Sequence, residues 1–187
     1  AESSGDNVLL RLRDDPAFFA EMVLGWAPFD YQVRLLRDES KRILSCWGRQ
    51  TGKTSTIAVK AVHYAYVNRD ATVLIVSPSM RQSMIMFEKL QDFISGNPIL
   101  VLGISRMTRT VVELLNGSRI IALPCSENLL RGYSAQMVII DESAFIPEEV
   151  IVRVVLPMLS ATDGKAVFLS TPWGRDHFFY RAFMNPS

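Results

Sequence analysis

The residues in this chain best equipped for chemistry are Gly48, Arg49, Gln50, Thr51, Gly52, Lys53, Thr54 and Ser55, consecutive in the sequence. Glycine lets a backbone turn tightly enough for successive N–H groups to curl around an anionic phosphate. A lysine directly after the second glycine can reach the β- and γ-phosphates of a nucleoside triphosphate, and the next hydroxyl can hold Mg2+. One departure stands out. The general phosphate-loop pattern has its first glycine where this chain has Trp47, and Gly48 follows one position late, giving G-x-x-x-G-K-T. The loop therefore calls for a second site.

That site is Asp141-Glu142, which ends the apolar run Met137-Val138-Ile139-Ile140. A lone carboxylate at the end of a buried strand is costly, so a cation is its natural partner. Asp141 is expected to hold Mg2+ through water. Glu142 is expected to orient and deprotonate the attacking water. A third polar pair, Ser170-Thr171, closes another apolar run and is read as a γ-phosphate sensor. Gln32 lies shortly before the loop. Its amide can bond N6 and N7 of adenine, or it can be an ordinary surface residue at a helix start.

These groups need a frame. Residues 43–47 read as a buried strand into the loop, and residues 56–62 as the helix leaving it. That is the context in which a helix N-terminus adds positive potential to a phosphate site. Residues 71–76, 137–140 and 165–170 read as further buried strands, with helices over 80–94, from Pro147 toward Pro157, and over 176–183. Strands alternating with helices imply an α/β fold with a largely parallel sheet, whose ligands gather beyond the strand C-termini. Asn116-Gly117 between two β-prone runs predicts a β-hairpin. Residues 1–7 are small and polar and read as mobile. Asp14-Asp15-Pro16 reads as the capped start of a helix whose face is Phe19, Met22, Val23 and Trp26. Residues 1–15 are thus taken as a flexible or helical extension, and 16–187 as one domain.

Composition narrows the classes further. Of 187 residues 49% are hydrophobic, which excludes a disordered chain, and 20 Lys and Arg against 19 Asp and Glu leave a net charge of +1. No global field marks a nucleic-acid protein, so DNA contact would rest on local clusters such as Arg106, Arg109 and Arg119, for which a solvated face is the simpler reading. Cys46 and Cys125 lack metal-site spacing and read as buried free thiols in a reducing compartment. No uncharged stretch is long enough to span a bilayer, so a soluble protein is expected. His63 and His177 lack partner spacing and are assigned no chemistry.

Five ordered segments carry a more specific likeness. They are Phe29-Asp30-Tyr31-Gln32, the loop Gly48 to Thr54, Arg131-Gly132-Tyr133-Ser134, Val138 to Ala144 with Asp141-Glu142 at its heart, and Leu169-Ser170-Thr171-Pro172-Trp173-Gly174. From about Pro16 onward the chain resembles the N-terminal ATPase domain of viral large terminases, the motors that package DNA into procapsids. The resemblance implies a RecA-type (ASCE) P-loop ATPase fold with a β-hairpin insertion, and ATP with Mg2+ as cofactors. It implies that Gln32 contacts adenine, that residues 48–55 bind nucleotide, and that Thr54 and Asp141 serve the metal. Glu142 is then the catalytic carboxylate and Ser170-Thr171 the coupling motif. Arg131 falls where some relatives place an arginine finger, a role for which Arg49 competes.

Double-stranded DNA, a portal protein, a small terminase subunit and a homo-oligomeric ring are the implied partners, in the cytoplasm of an infected cell. Large terminases carry a nuclease domain after the ATPase, and the carboxylate cluster of such a domain is missing here, so a fragment without DNA cleavage is expected. Two other readings stay open. One is a lobe of a helicase, because Asp141-Glu142-Ser143-Ala144 resembles a D-E-x-x box. The other is a nucleotide-gated binding module without turnover.

Overall fold

The computed structural model describes residues 4–48, 50–172 and 178–184. Arg49, Trp173-Gly174-Arg175 and His177 lie outside them. The sheet has seven strands in the order β1-β7-β6-β2-β5-β4-β3. These are β1 (Arg42–Cys46), β2 (Thr72–Ser77), β3 (Ile104–Met107), β4 (Val111–Leu114), β5 (Arg119–Pro124), β6 (Met137–Ile140) and β7 (Lys165–Ser170). Strands β1, β7, β6, β2 and β5 run parallel, and β4 and β3 add antiparallel at one edge. All four residues of β6 and all six of β2 are buried, as continuous apolar runs in a sheet covered on both faces must be.

Alternation splits these side chains between two cores. Val73, Ile75, Ile139, Val167 and Leu169 face α4 (Lys53–Val67) and α5 (Met80–Ser95). Leu74, Val76, Val138, Ile140 and Phe168 face Ile151, Val154, Val155 and Leu159 on the other side. The helix that supplies those four runs on through Pro157, where the sequence suggested an end. α8 (Glu148–Val150) passes into a π-helical turn, Ile151–Val155, and then into α9 (Leu156–Thr162). Proline lacks an N–H and its ring crowds the carbonyl four residues back, and the wider turn accommodates both.

The hairpin at Asn116-Gly117 forms, with Gly117 at φ 86°. It is less an insertion than the sheet's continuation, because β5 also pairs with β2 over six residues. The Asn116 amide reaches back and donates to the carbonyls of Ala65, Tyr66 and Asn68, closing the C-terminus of α4. Strand β3 and the short α6 (Pro98–Leu102) were not legible in the sequence. α6 starts at Pro98, with Asn97 capping the N–H groups of Ile99 and Leu100. Of the three arginines there, Arg106 faces Glu113 at 4.0 Å and Arg119 bonds the hydroxyl of the buried Thr72.

At the N-terminus, α1 (Ser4–Asp14) is helical where residues 1–7 read as mobile. The Leu12 carbonyl meets His63 Nε2 at 3.1 Å, and Arg11 lies over the Phe18 ring. α2 (Pro16–Met22) ends sooner than its aromatic spacing suggested: Met22 faces solvent, and Trp26 lies beyond the left-handed Gly25. α3 (Asp30–Arg37) follows, and its last carbonyls, Leu35 and Leu36, accept from the buried ammonium of Lys60, as does Asp38. Burial lowers Lys60 to about 8. Cys46 and Cys125 are half-buried free thiols. No helix among the described residues is long and apolar enough to cross a membrane.

Asp15 ties α2 to α3. Its carboxylate accepts from the N–H groups of Ala17 and Phe18 and takes both a 3.0 Å and a 2.8 Å bond from the Arg37 guanidinium. Asp15→Ala should destabilise the domain by about 1–2 kcal/mol, the usual loss for a helix N-cap. Burial alone would raise the Asp15 pKa, but Arg37 and the cap N–H groups bring it below its ordinary value. The stability it contributes is therefore present above the ordinary aspartate range and is lost as pH falls through the lowered pKa. Chemical denaturation at pH 7 and at pH 3 checks this. The difference between parent and Asp15→Ala should shrink at the lower pH.

Candidate active site

Strand β1 ends at Cys46, and the chain turns through residues 47–52 before α4 begins at Lys53. Two left-handed residues make the turn, Gln50 at φ 60° and Gly52 at φ 72°. Gly52 is needed for more than its torsion: a Cβ there would collide with Gln32 Nε2. The loop is braced from within by the Thr51 hydroxyl, which donates to the Gly48 carbonyl at 2.8 Å. From outside, Tyr31 Oη and Gln32 Nε2 both donate to the Thr51 carbonyl, at 2.8 and 3.2 Å.

That contact changes the reading of Gln32. The sequence offered an adenine reader or an exposed helix-start residue. The side chain is instead 2% exposed, with Oε1 accepting from the Phe29 N–H and Nε2 held by the loop. Each end of the amide makes one bond, so Gln32 links α3 to the loop. The exposed aromatics beside it are Phe29 and Tyr31, stacked 5.9 Å apart.

Opposite the loop, β6 and β7 deliver their terminal residues. Glu142 lies just beyond β6 in the left-handed region at φ 49°, a conformation uncommon for a non-glycine residue. Its Oε1 meets Lys53 Nζ at 2.5 Å, and its Oε2 accepts from the Thr171 hydroxyl at 3.1 Å. Burial alone would raise the Glu142 pKa. Lys53 and the two donors of Thr171 overcome it and hold the carboxyl below its ordinary value. Lys53 is correspondingly raised: burial opposes its charge, and the carboxylates of Asp141 and Glu142 outweigh that.

Asp141 behaves differently. It is 8% exposed, and burial pushes its pKa up despite Lys53 nearby. Its Oδ1 is buried and ion-paired with Lys53 Nζ at 3.1 Å, and among the described residues the ammonium is the one partner it has. A divalent cation suits such an atom, and Thr54 lines the same cavity. Asp141, Thr54 and the space between them fit the Mg2+ expected from the sequence.

Two adjoining cavities frame these groups. One, of about 360 Å3, is lined by Gly48, Gln50, Thr51, Gly52, Lys53, Thr54, Glu142 and Thr171. The other, of about 160 Å3, adds Asp141 with Gln82, Ile85 and Met86. Gln82, at the start of α5, escaped the sequence reading. The signal was its place just beyond the C-terminal end of β2. A larger cavity, of about 480 Å3, opens near Lys60 at the N-terminal ends of β6 and β7, where Lys60 donates to three carbonyls and Arg13 pairs with Asp14.

Three expected residues fall elsewhere. Ser170 is fully buried and turned to the far face, its hydroxyl accepting from the Ala144 N–H at 3.4 Å, so only Thr171 of the coupling pair reaches the site. Ser55 sits in the first turn of α4 and lines neither cavity. Arg131 follows α7 (Glu127–Leu130), is 55% exposed at its side chain, and is ion-paired with Glu127.

A parallel sheet with a phosphate loop after its edge strand, and an Asp-Glu pair two strands away, defines a RecA-type P-loop ATPase fold. Within that class, residues 46–186 match the family described as terminase large subunit, T4likevirus-type, N-terminal, and the chain belongs to that family. The large terminase subunit of Thermus virus P23-45 is 30% identical over 193 residues, covering 93% of this chain and 39% of the relative. The chain thus spans about two fifths of that relative's length. The large terminase ATPase domain of Thermus phage P74-26 superposes with a TM-score of 0.81 at 26% identity, over 91% of this chain and 74% of that one. The large terminase of bacteriophage D6E, solved with ADP, shares the fold with a TM-score of 0.64 at 18% identity, over 84% and 42%.

Proposed function

We propose that this domain hydrolyses Mg-ATP and, within a complete large terminase, drives double-stranded DNA into a procapsid. The observation that carries the reading is the bridge Lys53–Glu142–Thr171, which joins the phosphate loop, the acidic strand end and the coupling strand end in one cluster. In the sequence the three residues are far apart. A module that only binds nucleotide has no use for a carboxylate held at both oxygens above the loop.

The chemistry follows from the geometry. The loop N–H groups and the α4 N-terminus receive the phosphates, with Gly48, Gln50, Thr51 and Gly52 shaping the cradle and Arg49 near it in sequence. Lys53 leaves Glu142 for the β- and γ-phosphates. Glu142 Oε1 is then free to accept a proton from water attacking the γ-phosphorus, while Thr171 keeps Oε2 in place. Asp141 and Thr54 would hold Mg2+, which supplies charge neutralisation on the phosphate oxygens. Thr171 carries the change at Glu142 into β7, the start of the route to motion. Gln32 braces the loop, and its second N–H and second acceptor site are what it would offer adenine. A portal protein, a small subunit and a ring of copies are the partners this role requires.

Lys53→Ala tests the assignment. It removes the one side-chain cation among the residues described at the loop, so ATP affinity by calorimetry should fall at least about 100-fold, as loss of a buried charged partner implies. Unchanged affinity would remove the phosphate loop from the argument. The same variant leaves Asp141 and Glu142 without their shared counter-ion, and its melting temperature should fall as well.

A further inference from the structure

Among the described residues, two buried side-chain polar atoms make no hydrogen bond, Ser77 Oγ and Asp141 Oδ1, and of the two only Asp141 Oδ1 has an ion-pair partner, Lys53 Nζ at 3.1 Å. They are neighbours. β2 and β6 pair in register through Val76↔Ile140, and the Asp141 N–H donates to the Val76 carbonyl at 2.9 Å, which carries the pairing one step further and sets Asp141 beside Ser77. Side chains alternate along a strand. Ile75 and Ile139, two residues earlier on each strand, both belong to the core under α4 and α5. Ser77 and Asp141 therefore face that same side, the side from which Lys53 and Thr54 approach.

The orphaned hydroxyl is not the rule in this fold. Ser83 donates to the Leu123 carbonyl at 2.7 Å, Ser143 to Leu169 at 3.1 Å, and Thr56 to Gly52 at 3.0 Å. Ser77 is 0% exposed, and its hydroxyl gains nothing from the folded chain. A buried polar atom left unpaired is destabilising, and the carboxylate on the adjacent strand is an acceptor that such a hydroxyl can use through an ordered water.

We propose that Ser77 is a positioning residue of the cation site: its hydroxyl, through one water shared with Asp141 Oδ1, orients the Asp141 carboxylate toward the cation that accompanies the triphosphate. The inference rests on the reading of Asp141 as the cation-site carboxylate. Groups that orient a metal ligand without touching the metal commonly change metal affinity by 10–100-fold when removed.

The test is the Mg2+ concentration at which binding of an imido analogue of ATP is half-enhanced, measured by calorimetry at stepped MgCl2. Ser77→Ala should raise this midpoint about tenfold, leave affinity for the analogue in EDTA unchanged, and leave the melting temperature of the nucleotide-free protein equal or higher. Ser77→Thr keeps the hydroxyl and should keep the parent midpoint. Asp141→Asn should shift the midpoint further, and adding Ser77→Ala to it should shift it no more. A parent-like midpoint in Ser77→Ala, beside a shifted one in Asp141→Asn, overturns the role of Ser77 and leaves the cation site standing. Equal weakening with and without Mg2+, together with a lower melting temperature, shows a structural serine and also overturns it. So does a Ser77→Thr midpoint displaced as far as that of Ser77→Ala. If Asp141→Asn itself leaves the midpoint in place, the cation-site reading fails first and Ser77 falls with it.

Discussion

Arg131→Ala should lower the hydrolysis rate of the assembled protein by about 10³–10⁵-fold, the value of an arginine that stabilises charge on a transferring phosphoryl group. The geometry determines how. Arg131 lines neither cavity of its own chain and is paired at the surface with Glu127. An exposed pair of this kind contributes about 0–1 kcal/mol, so releasing the guanidinium for another contact is easy. Such an arginine serves best in the site of a neighbouring copy. The isolated domain should therefore be a poor ATPase when dilute, with specific activity rising with concentration or on tethering. An equimolar mixture separates the possibilities. Arg131→Ala chains supply intact sites, and Glu142→Gln chains supply intact arginines, so each alone should be nearly inactive and the mixture should regain part of the activity. Parent-like hydrolysis by Arg131→Ala alone would transfer the role to Arg49, acting within its own loop.

Glu142→Gln should slow hydrolysis by about 10²–10⁴-fold, the usual loss of a general base. Nucleotide affinity should not suffer and should tighten modestly. Lys53 Nζ is held at 2.5 Å by Glu142, and the neutral amide holds it less firmly, leaving the ammonium freer for phosphate. Single-turnover rates with calorimetry on the same preparation check both halves. A rate equal to the parent would place the base elsewhere. Thr171→Val offers a graded comparison: it removes the donor to Glu142 Oε2, so it should slow hydrolysis less than Glu142→Gln while sparing affinity.

The chain by itself determined the phosphate loop, the acidic strand end, the buried strands and the hairpin, and with them the class of fold. Each is a local signal. The turn chemistry of Gly52-Lys53-Thr54 lies within a few residues, and the runs at 73–76 and 137–140 are apolar throughout because a strand covered on both faces has no solvent side to mark. The tertiary structure alone decided which of those residues meet. Ser170 and Thr171 are adjacent and both polar, yet strand alternation sends one to the far core and the other to Glu142. Gln32 meets the loop because α3 docks against a carbonyl 19 residues away, and Gly52 leaves the space its amide needs. Ser77 carried no signal at all in the sequence. Its meaning comes from register, since only the pairing of β2 with β6 sets Ser77 and Asp141, 64 residues on, at neighbouring strand positions.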